Sequence, residues 1–289
     1  MKTIPSSGKI NLTLRITGKL PSGYHELTSV FLRISALESL TINRSMTDNV
    51  RVKFRYSSDI IQGQNILLKT LDVVRRQSSD VPFLDMLLEK RVPPGTGLGC
   101  GSGNAAALLE WLQLQGYCVE GCAAQIGADV PFFCRRAQAA LASGIGDILE
   151  DLDMTGCSLR GAVVIPAWRC LTAPYFAALD AHFGQIWPVG HSEAKEEALR
   201  IARDLKNGTP LGLLPNDFCS VLMKEHGEYS VLFDAFKALG ASAWGISGSG
   251  SSAFALWNKD RFPESLKGKL LLPWIQDILE FYVQDRENR

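Results

Sequence analysis

Five glycines at alternate positions constrain this chain more than any other feature of its sequence. They are Gly95, Gly97, Gly99, Gly101 and Gly103, and after Asn104 come the helix-forming alanines of residues 105–107. Because glycine has no Cβ, such a loop can turn successive backbone N–H groups toward one point, and the unpaired amides at the start of the helix add to them. The segment therefore predicts a backbone cradle for phosphate that needs no lysine.

Two common phosphate-binding patterns do not fit this segment. It lacks the Gly-Lys-Ser/Thr ending of a P-loop, and its glycines do not have the Gly-x-Gly-x-x-Gly spacing of a dinucleotide-binding turn. A flexible linker is the alternative, but linkers are polar on both sides, whereas this loop follows the apolar run 83–88 and precedes residues 105–114. The pattern favours an ordered ligand loop.

The glycine segment resembles the phosphate loop of the GHMP kinases, a superfamily that includes galactokinase, homoserine kinase and mevalonate kinase. Four further stretches resemble signatures of the branch that acts on a cytidyl-linked methylerythritol in the non-mevalonate isoprenoid route: Gly8-Lys9-Ile10-Asn11, Gly23-Tyr24-His25, Gly127-Ala128-Asp129-Val130-Pro131-Phe132 and Gly248-Ser249-Gly250-Ser251-Ser252. They occur in the family's order and span nearly the whole chain. The resemblance implies an ATP-dependent kinase with an alcohol acceptor.

Hydrophobic periodicity predicts an α+β chain with a division near residue 155. Strands are expected at residues 9–17, 27–34, 39–43, 50–56, 83–90, 161–165, 243–247 and 252–257, and helices at 65–76, 103–115, 119–126, 173–181, 193–206 and 229–239. Residues 147–155 form an acidic connection, so we expect an N-terminal domain at 1–155 and a C-terminal domain at 156–289. The resemblance implies the GHMP kinase fold, with an N-terminal domain like ribosomal protein S5 and a smaller ferredoxin-like C-terminal domain.

Lys9 and Asp129 are the residues to which the resemblance assigns the chemistry. It implies that Asp129 is the base for the acceptor hydroxyl, and that Lys9 orients this hydroxyl and stabilises charge. Taken alone, Lys9 among strand residues also fits a solvated surface charge. Asp129 lies among apolar residues after a predicted helix, which also fits a helix-capping or turn aspartate.

The resemblance also implies two sets of binding residues. Those expected to contact ATP are Asn65, Lys90, Pro94, Gly95, Gly97, Leu98, Gly99, Gly101, Ser102, Gly103 and Asn104. Ser102 can offer its hydroxyl to phosphate or Mg²⁺, or it can simply cap the helix. Those expected to contact the substrate are Asn11 at the methylerythritol, Tyr24, His25 and Tyr175 at the cytidine, and Gly248 and Ser249 in a closing loop. A turn packed by an aromatic ring is the alternative for the Gly-Tyr-His stretch.

The glycine loop departs from the usual family pattern at two positions. Cys100 stands where a glycine is usual, and Gly103 stands where a second serine is usual. The lost hydroxyl predicts weaker nucleotide binding rather than lost chemistry, and it keeps open a non-catalytic nucleotide-binding regulator on the same fold. Another GHMP kinase, of the mevalonate or homoserine type, is a nearer alternative. The Gly-Tyr-His stretch argues against it, because those substrates carry no base to stack.

Composition limits the partners. Thirty basic residues balance thirty acidic ones, so no net charge attracts nucleic acid or an anionic membrane. Seven scattered cysteines are typical of reduced thiols in a cytoplasmic protein, and no apolar run approaches the roughly 18 residues that span a bilayer. The four histidines lack metal-ligand spacing, so we expect no protein metal site, only Mg²⁺ carried with ATP. The expected protein is a cytoplasmic monomer or weak homodimer.

Overall fold

The computed structural model describes residues 1–55, 65–184 and 186–283. In chain order its strands are β1 (Lys2–Lys19), β2 (His25–Arg44), β3 (Asn49–Phe54), β4 (Leu84–Lys90), β5 (Ala139–Ser143), β6 (Ile148–Leu152), β7 (Leu159–Pro166), β8 (Gly212–Leu213), β9 (Ala243–Ile246), β10 (Ala253–Asn258) and β11 (Ile275–Val283). Its helices are α1 (Ile66–Arg75), α2 (Cys100–Leu114), α3 (Cys122–Ile126), α4 (Val130–Cys134), α5 (Thr172–Phe183), α6 (His191–Lys206), α7 (Cys219–Glu225), α8 (Glu228–Ala238) and α9 (Leu266–Lys269). The predicted α+β class is confirmed.

The chain forms two compact units that are discontinuous in sequence. The first unit contains residues 1–9, 33–94 and 99–136, and the second contains residues 10–32, 95–98 and 137–289. Strands β1 and β2 each contribute residues to both units, and so does the glycine loop. The division into domains at 1–155 and 156–289 stays a prediction.

The first unit is a sheet segment with a group of helices. Strand β4 pairs in parallel with β3 and antiparallel with the end of β2, where Ser39 lies opposite Glu89. Helix α2 is rich in alanine and is buried around most of its circumference, where it packs against α1, α3 and α4. Small side chains on a buried helix let neighbouring elements approach closely, and this fixes the start of α2 within the unit.

The second unit contains a five-stranded sheet in the order β11-β7-β10-β9-β8. Its strands are antiparallel except for the short edge pair β8 and β9. A cluster of large apolar side chains, including Phe218, Tyr229, Phe236 and Trp257, forms its core. In the same unit β5 pairs with β6 and with residues 29–32 of β2.

Some predicted element boundaries are wrong. Residues 27–34 and 39–43 belong to one strand, β2, which is interrupted only by Ala36 with a positive φ of 55°. The expected acidic connection contains strand β6, whose side chains are mostly exposed. An exposed edge strand tolerates charges that a buried strand would exclude, and for this reason its polarity resembled that of a connection. The last residue of the predicted strand 50–56 lies outside the described residues.

Two further findings bear on the expected class of protein. Across the part of the chain that the structure describes, no helix is both long and apolar enough to cross a membrane.

The seven cysteines are free of disulfide bonds. Burial raises the pKa of several of these thiols, among them Cys134 and Cys157, each to about 11.

Candidate active site

Lys9 and Asp129 form an ion pair in the first unit. The Lys9 Nζ lies 3.6 Å from Asp129 Oδ2. Lys9 is only 6% exposed, so the alternative of a solvated surface charge is wrong for this residue. Asp129 occupies the N-cap position of α4, yet its side chain makes no capping hydrogen bond, so the carboxylate does not serve as a cap. The pair places a partly accessible carboxylate beside a buried ammonium.

Gly99 packs directly on this pair. Its φ is +61°, which favours glycine, and a Cβ added there would lie 3.2 Å from both Asp129 Oδ2 and Lys9 Cε. A side chain at position 99 would therefore crowd the ion pair and strain the backbone. Gly99 is also the residue that precedes α2, so the same backbone position joins the Lys9–Asp129 pair to the start of that helix.

The first turn of α2 offers backbone amides for an anion. The helix begins at Cys100, three residues earlier than predicted, so Ser102 lies inside the first turn and is not its N-cap. A Cβ added at Gly101 would meet no atom within 4 Å, so protein packing does not require glycine at that position. A glycine with open space in front of it, at the positive end of a helix dipole, suits the close approach of a phosphate.

Gly103 has a different reason to be glycine. A Cβ added at Gly103 would lie 1.8 Å from the backbone oxygen of Ser7 and 2.9 Å from its carbonyl carbon. Strand β1 therefore runs directly against this face of α2. A serine at position 103 would clash with that strand, so the missing hydroxyl reflects a close backbone contact. The expectation of weaker nucleotide binding stays a prediction.

Glu38 is the centre of a buried polar network behind the start of α2. Its carboxylate accepts hydrogen bonds from Lys90 Nζ at 3.1 Å, from the Val92 backbone N–H at 3.0 Å and from Asn104 Nδ2 at 2.7 Å. The Asn104 carbonyl oxygen accepts a hydrogen bond from the Ser6 hydroxyl. The network joins β1, β2, β4 and α2. Sequence reasoning missed Glu38, because its sequence neighbours do not distinguish it from an exposed strand residue.

Two other residues of the first unit, Asn65 and Cys100, are explained by their local surroundings. Asn65 caps α1, where its side-chain oxygen accepts a hydrogen bond from the Leu67 N–H at 2.9 Å. Burial, together with the nearby Glu38 carboxylate, raises the pKa of the Cys100 thiol far above its ordinary value. Cys100 is therefore an inert thiol at neutral pH.

In the second unit, the late glycine/serine loop contacts the first part of the glycine loop. The Ser247 hydroxyl donates to the Gly97 carbonyl at 2.8 Å and accepts from the Asn11 backbone N–H at 3.2 Å. A Cβ at Gly97 would lie 2.0 Å from the Ser247 carbonyl oxygen, so this contact requires glycine. Gly248 has a φ of +59°, and the hydroxyls of Ser249 and Thr172 are 3.2 Å apart.

His25 lies in a polar and aromatic cluster of the second unit. Its Nε2 is 2.7 Å from Asp180 Oδ1, and Lys19 Nζ is 2.6 Å from Asp180 Oδ2. Burial alone would raise the pKa of Asp180, but hydrogen bonds from His25 and Lys19 outweigh it and keep the pKa below its ordinary value. Since an ionised carboxylate only accepts hydrogen bonds, Nε2 of His25 must carry a proton.

Two aromatic rings, those of Phe176 and Trp187, contact the His25 ring. The two rings are stacked with centroids 4.5 Å apart, and Trp187 meets the His25 ring edge-on at 5.6 Å. Tyr175, the residue expected to stack on the base, is only 8% exposed and donates its hydroxyl to Glu225 at 2.9 Å. The structure thus places Phe176, rather than Tyr175, next to His25. Tyr24 is 64% exposed at the turn before β2.

The charged side chains do not form a metal centre in the part of the chain that the structure covers. Among the described residues, no group of three or more His, Cys, Asp or Glu side chains could hold a metal ion.

The segment that contains the glycine loop matches a known protein family. Residues 65–135, which include α1, the glycine loop and Asp129, match the family model of the GHMP kinases N terminal domain. The fold is similar to a crystal structure of 4-(cytidine 5'-diphospho)-2C-methyl-D-erythritol kinase, with a TM-score of 0.75 and 25% identity over 97% of this chain and 98% of that one. It also resembles L. major mevalonate kinase, with a TM-score of 0.63 and 15% identity over 99% and 97% of the two chains. The fold is that of a GHMP kinase.

Proteins with similar sequences show which family of GHMP kinases the chain belongs to. A 4-diphosphocytidyl-2-C-methyl-D-erythritol kinase of Chloroherpeton thalassium is 31% identical over 93% of this chain and 98% of the relative. The kinase of the same name from Nitratidesulfovibrio vulgaris is 33% identical over 89% of this chain and 90% of the relative. The chain belongs to the 4-diphosphocytidyl-2-C-methyl-D-erythritol kinase family.

Proposed function

We propose that this chain transfers the γ-phosphoryl group of ATP to the 2-hydroxyl of 4-diphosphocytidyl-2-C-methyl-D-erythritol, giving the 2-phosphate and ADP, a step in isoprenoid precursor synthesis. The observation that carries the proposal is the ion pair of Lys9 and Asp129 against Gly99, at the start of α2. A base, a cation and a phosphate-binding helix terminus are the parts that phosphoryl transfer to an alcohol needs.

In the proposed reaction, the Asp129 carboxylate accepts the proton of the 2-hydroxyl while the hydroxyl oxygen attacks the γ-phosphorus of ATP. The bond between that phosphorus and the β–γ bridging oxygen breaks, and ADP leaves. Lys9 orients the hydroxyl and offsets the negative charge of the moving group. Because Lys9 is almost excluded from water, solvent screens its charge only weakly.

We assign the ATP phosphates to the glycine loop and the first turn of α2. The loop positions are Pro94, Gly95, Gly97, Leu98, Gly99, Gly101, Ser102, Gly103 and Asn104. Open space in front of Gly101 supports this assignment. Mg²⁺ bound with the nucleotide would neutralise further phosphate charge, and the Ser102 hydroxyl would be available to it or to a phosphate oxygen. Asn65 and Lys90 remain proposed neighbours of the adenine.

We assign the cytidine to the cluster around His25. The observations that support this are the exposed ring of Tyr24, which offers a face to a pyrimidine, and the His25 ring, which Phe176 stacks on and Asp180 contacts through Nε2. Asn11 is proposed to contact the methylerythritol, and Gly248 and Ser249 to belong to the loop that closes on the substrate. A cytoplasmic location and a monomer or weak homodimer complete the proposal.

The direct test is ADP release by the purified protein with Mg-ATP and each of three acceptors. The expected result is turnover with the cytidyl substrate and none with mevalonate or homoserine. Turnover with mevalonate or homoserine instead would assign a different GHMP kinase activity. ATP binding without turnover on any acceptor would favour a regulator.

Asp129→Asn tests the proposed base. We expect turnover to fall by at least about 10³-fold, within the range for loss of a general base, while binding of a fluorescent ATP analogue persists. Asp147→Asn is the matched control, since Asp147 accepts a backbone hydrogen bond in a turn of the second unit and has no proposed role in the reaction. Wild-type turnover by Asp129→Asn would remove Asp129 as the base.

A further inference from the structure

Arg33 is a buried cation attached to the end of the helix that follows Asp129. It lies on β2 and is only 4% exposed. Its guanidinium donates to the backbone carbonyls of Phe133 at 3.1 Å, Phe132 at 2.8 Å and Arg135 at 2.8 Å. These carbonyls belong to the C-terminal end of α4, where helix carbonyls lack partners within the helix and a positive charge is favourable.

Two aromatic rings lie beside the Arg33 guanidinium. The Arg33 Cζ lies 5.1 Å from the centroid of the Phe132 ring and 5.6 Å from that of Phe133. Both rings are buried. A guanidinium can stack on rings and donate to several carbonyls in its plane at once, whereas a lysine ammonium at the same place cannot reproduce this geometry. The contact is therefore specific to arginine.

Helix α4 is too short to be stable by itself and depends on the elements around it, which include α2, α3 and the Arg33 side chain. It has five residues, Val130–Cys134, which is far below the length at which an isolated helix is stable. Its length is roughly 7 Å at 1.5 Å per residue, so its two ends cannot move independently. Asp129 immediately precedes the helix and has no capping hydrogen bond that would fix its carboxylate. Because α4 is so short, the Arg33 contacts at its far end are among those that set the place of Asp129.

We propose that Arg33 is a positioning residue for Asp129: by anchoring the C-terminal end of α4 it keeps the carboxylate opposite Lys9. The inference rests on the proposed function for its effect on turnover, but the anchoring itself is a property of the first unit. A catalytic group displaced by about 1 Å can lose about 10²-fold in rate. Arg33 would act on the chemical step and leave the binding of ATP unchanged.

The test compares Arg33→Met and Arg33→Lys with Arg75→Met. Arg75 is the control, because it also donates to two backbone carbonyls, of Val81 and Pro82, and lies 5.1 Å from the Phe83 ring, but it holds a different turn and pairs with Asp48 as well. We expect a kcat about 10- to 100-fold lower in both Arg33 variants, with the KM for ATP changed less than about 2-fold. Arg75→Met loses stability and keeps the wild-type kcat.

A double-mutant cycle separates positioning from general damage. In the Asp129→Asn background, Arg33→Lys should lower the residual kcat less than about 2-fold, because its effect passes through Asp129. Equal losses in both backgrounds would overturn the proposal. So would a wild-type kcat in the Arg33 variants, or an equal loss of kcat in Arg75→Met.

Hydrogen exchange gives a readout that does not depend on turnover. Amides of residues 127–131 should exchange faster in Arg33→Lys than in wild type, and at the wild-type rate in Arg75→Met. If the wild-type protein turns over no acceptor, the proposed function fails. The exchange result alone then tests whether Arg33 anchors α4. Unchanged exchange in the Arg33 variants refutes it.

Discussion

Gly103→Ala and Gly101→Ala should change stability in opposite directions, although both positions lie in the first turns of α2. A methyl group at Gly103 would lie 1.8 Å from the Ser7 carbonyl oxygen, whereas at Gly101 it would meet nothing within 4 Å. The substitution is chemically identical at the two sites. A difference in stability must therefore come from the approach of β1 to the helix.

The expected change in the free energy of unfolding has two contributions. Alanine in place of glycine favours a helix by about 1 kcal/mol, and this applies to both positions. At Gly103 the methyl group must also move backbone on one side, because real Cβ contacts under 3.0 Å essentially do not occur. Overpacking of this kind costs about 3 kcal/mol. We expect Gly103→Ala to be about 2 kcal/mol less stable than wild type, and Gly101→Ala about 1 kcal/mol more stable.

The assay is urea unfolding followed by tryptophan fluorescence and far-UV circular dichroism, with the midpoint and slope compared among the three proteins. A lower midpoint for Gly103→Ala and a higher one for Gly101→Ala are expected. Gly101→Ala should also raise the KM for ATP, because the methyl group enters the space assigned to phosphate. A Gly103→Ala protein as stable as wild type would refute the predicted clash between a side chain at position 103 and the Ser7 backbone.

Three further outcomes can be checked. Tyr24→Ala should raise the KM for the cytidyl substrate about 10-fold, from loss of about 1.4 kcal/mol of stacking on its exposed ring, whereas Tyr175→Phe should leave it unchanged; an effect only in the Tyr175 variant would reverse the assignment. Glu38→Ala should lower the free energy of unfolding by about 3–5 kcal/mol, because it leaves a buried ammonium without its carboxylate; a change below about 1 kcal/mol in urea unfolding would contradict this. Burial alone would raise the pKa of Asp48, but hydrogen bonds from Arg75 and the Leu84 N–H, together with the charge of Arg75, outweigh it and keep the pKa below its ordinary value. Asp48 therefore contributes stability above about pH 4 that is lost as the pH falls below this unfolded-state pKa, and Asp48→Asn should flatten the acid limb of a plot of unfolding midpoint against pH.

The sequence by itself determined the main elements and the place that we propose for the chemistry. The glycines between Gly95 and Gly103 predicted a phosphate loop before a helix, because only glycine permits the backbone conformations that such a loop needs. The apolar periodicity of α1, α6 and α8 predicted those helices to within a few residues, since their buried faces repeat with the helical period. Local sequence controls such features, and local physics is enough to infer them.

Only the tertiary structure decided what surrounds those elements. It separated the two reasons for glycine in α2, open space at Gly101 and the Ser7 backbone at Gly103, because that difference depends on a strand about a hundred residues away. It placed Phe176 against His25, and it brought Glu38 and Arg33 behind α2 and α4. Long-range contacts set burial and hydrogen bonding, and a residue's sequence neighbours do not reveal which distant groups will supply them.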